Sequence, residues 1–246
     1  MTGGVIGVIG AMEEEVDILF SRLKDAKKEN HGGFEYLSGV LGGKNAVILK
    51  CGIGKVNASV GCALLLDHYK PDLVINTGCA GGVNSGGGEI QLDFGDAVFS
   101  ERLVYHDVDL TAFGYAPGQL PGFKQYFFTP PHLLEKAENA VEELKRDAIL
   151  PENFNAVRGV IASADVFVCD SSVVRETAAK FPGLRAVEME GAAIAHTCLI
   201  FNTPCLVIRC LSDIAGEKSP VTFDEYLHTA SKHSSEIVIR LLENGL

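Results

Sequence analysis

No run of Lys and Arg interrupts this sequence, whose 21 basic residues are outnumbered by 32 acidic ones for a formal net charge of -11. A field of that sign repels a phosphate backbone or an anionic membrane surface, so neither nucleic acid nor a membrane is an expected partner. Long hydrophobic runs are missing as well. The apolar stretches are broken by Gly, Asn or charge well short of the roughly 20 residues that a spanning helix needs. The opening, Met1 to Gly10, has no basic segment followed by an apolar core and a cleavage site. The seven cysteines, Cys51, Cys62, Cys79, Cys169, Cys198, Cys205 and Cys210, form neither a C-x-x-C pair nor a zinc-type spacing. Most sit in apolar runs, where a reduced thiol behaves as a small hydrophobe. Together these absences predict a cytoplasmic protein in a reducing compartment.

What is present is an ordinary globular composition, 47% hydrophobic and 22% charged, without low-complexity tracts or an internal repeat. The 246 residues suit one domain, 1–246, with a core buried on several sides. Short β-branched runs at Val5 to Ile9, Ala46 to Leu49, Leu73 to Asn76, Val157 to Ala162 and Leu206 to Leu211 predict buried strands. Between them a 3.6-residue period predicts helices over Val56 to Tyr69, Pro131 to Lys145, Ser171 to Phe181, the almost wholly apolar Gly191 to Phe201, and Thr222 to Glu243 as a peripheral cover. Further strands at Phe34 to Leu41 and Asp96 to Glu101 lack helical neighbours, so the expected fold is α/β with a mixed sheet. Two stretches, Ser85 to Glu89 and Thr111 to Pro130, read as irregular. Loops of that length in a compact domain tend to cover a site or a subunit contact.

The Gly-rich signals do not encode a phosphate loop. Gly4-x-x-Gly7-x-x-Gly10 lacks the dinucleotide spacing, and Gly52-Ile53-Gly54-Lys55 lacks the gap and hydroxyl of a Walker loop. After the strand ending near Ile75, however, comes Asn76-Thr77-Gly78-Cys79-Ala80-Gly81-Gly82, a gap in side chains at a strand's carboxyl end, where α/β folds hold small molecules and glycine lets backbone approach a ligand. Tight turns are the plain alternative.

Carboxylates cluster twice. Glu13, Glu14 and Glu15 follow the first strand; the first two read as a solvated helical turn at the positive end of the dipole, whereas Glu15 can face a crevice at the strand end. Glu188 and Glu190 flank Met189 just before the apolar helix, and an extended backbone there points both to one side. Helix electrostatics alone could account for them, but so apolar a helix buries its first turn, and buried carboxylates need partners. Arg209, inside an otherwise apolar strand, requires anionic partners, and Asp213 closes that strand where catalytic groups sit. Ser212-Asp213 as a cap or turn pair is the alternative. His106-Asp107-x-Asp109 lacks the companion ligands of a metal site. His196 reads as a packed histidine rather than a base, and no G-x-S-x-G elbow supports a serine hydrolase.

Six segments in order, Gly10-Ala-Met-Glu-Glu-Glu15, Cys51-Gly-Ile-Gly-Lys-Val56, Asn76 to Gly82, Tyr105 to Tyr115, Val187-Glu-Met-Glu190 and Arg209-Cys-Leu-Ser-Asp213, together resemble the 5'-methylthioadenosine/S-adenosylhomocysteine nucleosidases, over nearly the whole chain. That resemblance implies a three-layer αβα nucleoside-phosphorylase-like fold with a mixed central sheet, a homodimer, no cofactor and no metal. It also implies hydrolysis of the substrate nucleoside to adenine and a thioribose, as in methionine salvage. By position, Asp213 would protonate adenine N7, Glu15 would activate the attacking water, and Arg209 would orient Glu15 or the water site. Glu190 would hold the ribose hydroxyls beside Met189 with support from Glu188; Phe167 would stack on adenine while Val168 reads the purine edge through its backbone. Cys79, Ala80 and Gly81 would line the floor, with Ile53, Ser212 and Phe223 completing the pocket. Phe113, Tyr115 and Pro121 would come from the other subunit to cover the 5'-thio group. The sequence departs from the family at Cys79, commonly Ser, at Gly191, commonly Ala, and in a longer Asn84 to Leu92 segment.

Three rivals follow from the same residues. A purine nucleoside phosphorylase must hold a phosphate dianion, which Glu13 to Glu15 would repel. An aminofutalosine-type nucleosidase differs only in the 5' substituent admitted. A nucleoside-binding module without turnover would have no need of an acid and a water-activating base together.

Overall fold

The computed structural model describes residues 4–84, 90–217 and 219–246, with side chains of 219–222 left aside. The Ser85 to Glu89 stretch read as irregular lies outside the described residues. Among the described residues ten strands form one mixed sheet: β1 (Val5–Gly10), β2 (Lys24–His31), β3 (Phe34–Leu41), β4 (Lys44–Lys50), β5 (Leu73–Gly82), β6 (Ala97–Tyr105), β7 (Phe127–Phe128), β8 (Ala156–Ser163), β9 (Leu184–Glu188) and β10 (Cys205–Ile214). Six helices accompany them: α1 (Glu13–Arg22), α2 (Lys55–Tyr69), α3 (Pro131–Arg146), α4 (Ser171–Lys180), α5 (Gly191–Ile200) and α6 (Ser219–Glu243).

The expected mixed sheet is present: β1 runs parallel to β4 and β5, β8 parallel to β6 and β9, whereas β2, β3 and β4 are antiparallel and β6 opposes β10. Sequence patterning gave no sign of how the sheet closes. Because β10 pairs with both β6 and β5, and β9 with both β8 and β5, the strands β5, β10, β6, β8 and β9 form a closed ring, from which β1, β4, β3 and β2 extend as an open wing.

Helices cover both faces. On one side Val16 and Leu19 of α1, Leu133 and Val141 of α3, and Ala230 and Ile237 of α6 share a core with Val8, Ile48, Ile75 and Phe99 of the strands. On the other, Ala58 and Leu65 of α2 and Ala192 and Ile194 of α5 pack with Ile9, Leu49, Val74 and Val207. The expectation of a peripheral last helix is corrected: Ala230, Ile237, Val238, Leu241 and Leu242 are all buried, because α6 lies along β5 and β10 and against α1 and α3.

A second difference concerns Asn76 to Gly82, which follow the point near Ile75 where the strand is expected to end. These residues continue β5 as strand, since β10 pairs alongside as far as Gly82 and β9 joins at Gly81 and Gly82. The expected strand from Asp96 to Glu101 likewise runs on to Tyr105. Thr111 to Pro130 is irregular as expected, apart from a single 3-10 turn at Thr111–Phe113 and the short β7.

Candidate active site

The carboxyl end of β1 delivers the chain directly into α1, with Glu15 in the first helical turn. Glu13 and Glu14 are exposed, the former paired with Lys50, but Glu15 is buried. One carboxylate oxygen, Oε2, accepts from the backbone N–H of Ala11 at 2.6 Å and of Met12 at 3.0 Å, and the other, Oε1, from that of Cys79 at 2.8 Å. Burial pushes its proton affinity up, against the field of Arg209 and those three donors. Its approach to β5 requires glycine at Gly78, where a Cβ would collide with the carboxylate.

Three residues along the same strand, on the order of 10 Å at strand rise, Gly81 lies beside Asp213; a Cβ there would meet Asp213 Oδ2 at 3.1 Å. The pairing of β10 with β5 slips between Leu211 and Asp213. This bulge lets the consecutive residues Ser212 and Asp213 both line the cleft, which the alternation of a regular strand forbids. Both are buried, and Ser212 Oγ donates to Asp213 Oδ1 at 3.1 Å.

Glu188 ends β9 and is fully engaged. Ser163 Oγ donates to Oε1, while Oε2 accepts from the N–H groups of Glu190 at 3.0 Å and Gly191 at 2.7 Å and from Arg209 Nη2 at 2.6 Å. It thus caps the start of α5 and neutralises an arginine whose side chain is only 2% exposed. Arg209 Nη2 also donates to Asn76 Oδ1 at 2.6 Å. Its hydrogen bonds go to Glu188, to Asn76 and to the Ile208 carbonyl; Glu15, one of the two targets the resemblance implied, feels the field of Arg209. Glu190 has one oxygen on the N–H of Gly54 at 2.7 Å, and burial next to Glu188 raises its pKa to about 8, against the pull of Arg209.

These elements line one cleft. Glu15, Ile53, Cys79, Ala80, Gly81, Phe167, Val168, Glu188, Met189, Glu190, Ser212, Asp213 and Phe223, all picked out in the sequence, line it together. Arg209 stands behind the wall. Phe167 and Phe223 meet edge to face, ring centres 5.8 Å apart, leaving an apolar slot of ring-stacking character. Phe113, Tyr115 and Pro121 do not reach the cleft of their own chain, and Phe113 is 78% exposed. Four lining residues were not anticipated: Ala11, Met12, Val166 and Val187. Val166 and Val187 adjoin anticipated residues in the chain, Ala11 and Met12 lie within a helical turn before Glu15, and none carries a polar side chain to signal it.

Cys79, the departure from family pattern, presents its backbone N–H to Glu15 while its Sγ turns toward Ser231 Oγ, 3.3 Å away on α6. Asp107 and Asp109 serve local structure: Asp107 binds Lys55 Nζ and the N–H of Asp165, and Asp109 takes the N–H of Thr111. Among the described residues no group of three His, Cys, Asp or Glu side chains could hold a metal ion. His196 is packed, with Phe127 stacked at 4.9 Å and Tyr105 Oη 3.2 Å from Nδ1. No helix of the described residues is long and apolar enough to cross a membrane.

Two buried carboxylates, Glu15 and Asp213, thus line one cleft together with an aromatic pair, Phe167 and Phe223. Residues 5–243 match the phosphorylase superfamily. A 5'-methylthioadenosine/S-adenosylhomocysteine nucleosidase of Geobacillus kaustophilus is 49% identical over 96% of this chain and 95% of its own, and one from Colwellia psychrerythraea is 48% identical over 96% and 94%. The crystal structure of a Colwellia psychrerythraea nucleosidase in complex with adenine superposes with a TM-score of 0.90 at 46% identity, over 98% of this chain and 95% of that one. A Neisseria meningitidis nucleosidase bound to methylthio-immucillin-A gives 0.90 at 40% identity, over 98% and 99%. The chain belongs to the 5'-methylthioadenosine/S-adenosylhomocysteine nucleosidase family, within the phosphorylase superfamily.

Proposed function

We propose that this protein hydrolyses the N-glycosidic bond of 5'-methylthioadenosine and S-adenosylhomocysteine, releasing adenine and a 5-thioribose, without cofactor or metal. The observation that carries the reading is one cleft lined by both Glu15 and Asp213, with Glu190 beside them. Adenine leaves poorly as an anion, so Asp213 delivers a proton to N7 as the bond to C1' stretches. An aspartate in water ionises near pH 3.9, and the role requires that burial and the purine keep its proton on. The sugar turns cationic in an oxocarbenium-like state, stabilised by the nearby carboxylates. Glu15, with its raised proton affinity, accepts a proton from the water that attacks C1'. Glu190 takes the ribose hydroxyls beside Met189, Phe167 stacks on the base, and the backbone of Val168 reads its edge.

Hydrolysis is favoured over phosphorolysis by how the backbone donors are used. The N–H groups of Ala11, Met12 and Cys79, which could have cradled a phosphate, already hold the Glu15 carboxylate. An incoming dianion would meet a negative charge there instead.

The functional unit is a homodimer of single-domain chains. Support comes from Ile53 just before α2, Val56 and Val60 on α2, and Leu199 and Ile200 at the end of α5, all exposed where these two helices pack side by side, and from the exposed Phe113. In that arrangement Phe113, Tyr115 and Pro121 of one subunit cover the 5'-thio group in the other. Seven unpaired cysteines fit a reducing cytoplasm, and the thioribose product fits methionine salvage.

Product analysis with and without phosphate tests the reaction. Free thioribose in both cases is expected; thioribose 1-phosphate, formed only with phosphate, would make the protein a phosphorylase, and bound nucleoside without adenine release would make it a binding module.

A further inference from the structure

The start of α2 holds two walls of the cleft at once. Its first free N–H groups each meet a carboxylate: Gly54 N donates to Glu190 Oε1 at 2.7 Å on the sugar side, and Lys55 N donates to Asp165 Oδ1 at 2.8 Å. Asp165 opens the segment Val166, Phe167 and Val168, all three of which line the base side of the cleft. The same helix start contributes Ile53 to the lining. A charged clip reinforces the second contact. Lys55 Nζ binds Asp107 Oδ2 at 2.5 Å and lies 3.8 Å from Asp165 Oδ2, over the Tyr105 ring, and the N–H of Asp165 returns to Asp107 Oδ2 at 3.1 Å. Gly54 is required by this closeness: its φ is +96°, and a Cβ would meet Asp165 Oδ1 at 3.1 Å.

We propose that Asp165 is a positioning residue for purine recognition, fixing the Val166–Val168 wall against the start of α2 so that the base and sugar walls keep one spacing. The inference rests on the nucleosidase reading for what the wall binds, but the mechanical claim does not. Val166 and Phe167 are exposed in the free protein, so the cap at Asp165 bears directly on how rigidly the segment is presented. The ion pair itself is partly solvated and contributes little. The hydrogen bond from Lys55 N at the helix start is the stronger hold, as a side-chain cap of a backbone donor, and an Asn amide oxygen can supply it as well.

The test uses the intact protein with adenine as ligand and 5'-methylthioadenosine as substrate. Asp165→Ala should raise the adenine Kd and the substrate KM by about tenfold while kcat stays within about threefold, the pattern of lost uniform binding. Asp165→Asn, whose amide oxygen still accepts from Lys55 N, should restore both constants to within about twofold. Amide hydrogen exchange of Val166 to Val168 should rise in Asp165→Ala and return in Asp165→Asn, with or without ligand. Unchanged exchange in Asp165→Ala, or an Asn variant as impaired as the Ala variant, overturns the proposal. A wild-type protein that fails to bind adenine would sink the nucleosidase reading instead, and the exchange data would still decide the clip.

Discussion

Glu190 is a carboxyl group that burial and Glu188 keep protonated up to about pH 8, where an ordinary glutamate releases its proton near 4.5. Between those values the folded protein binds a proton that the unfolded chain does not, so this residue's contribution to stability is full at low pH and declines as pH rises through the folded pKa. The thermal midpoint of the wild type should therefore fall relative to Glu190→Gln as pH climbs from about 5 to about 8. Parallel curves would mean that Glu190 is ionised in the free protein. For the proposed chemistry, Asp213→Asn should cost at least about a hundredfold in turnover with the fold intact, the low end of what general acid catalysis contributes. A rate near that of the wild type would move the acid elsewhere. Glu15→Gln should stop hydrolysis and still bind nucleoside, since the amide oxygen can keep one backbone donor; lost binding with unchanged turnover per bound substrate would assign it to binding.

At the level of single elements, β5 shows how a strand can be fitted around side chains from elsewhere. Gly78 leaves space for Glu15, and Cys79 supplies a backbone N–H while its thiol faces α6. Gly78→Ala should thus displace Glu15 and lower kcat by about a hundredfold or more, on the scale of a misplaced catalytic group, whereas Cys79→Ser should stay within about threefold of wild type. The reverse order in steady-state assays would contradict this use of the strand. Much of this was legible before the structure. Apolar periodicity marked the buried strands and helices, and an arginine stranded in an apolar run pointed to anionic partners, found as Glu188. Other features left no local trace. The β2 sequence, Lys24 to His31, has no inward-facing apolar set because it lies exposed at the end of the wing, and the persistence of β5 through its glycines depends on partners more than a hundred residues away. The choice of Asn76 rather than Glu15 as the second partner of Arg209 is likewise a matter of packing distance, not of sequence pattern.

For the molecule as a whole, the exposed apolar residues on α2 and α5 bear on assembly. Val56 is 73% and Ile200 60% exposed, and a charge on each should be tolerated in a free monomer but not in a buried subunit contact. The double variant Val56→Asp, Ile200→Glu should shift the species seen in light scattering from twice the chain mass to one chain, with circular dichroism unchanged, and should raise KM as the partner's aromatic cover is lost. A wild type that already scatters as a single chain would remove the dimer and with it the proposed role of Phe113. The closed ring narrows the ways such molecules can meet. With β5 and β10 enclosed, the long hydrogen-bonding rim left open is that of β2, and it is studded with Lys24, Asp25, Lys27, Lys28 and Glu29. Neighbouring molecules trying to zip a further strand onto that rim would have to strip water from a row of charges, so crowding at high concentration should favour contact through helices over runaway sheet growth.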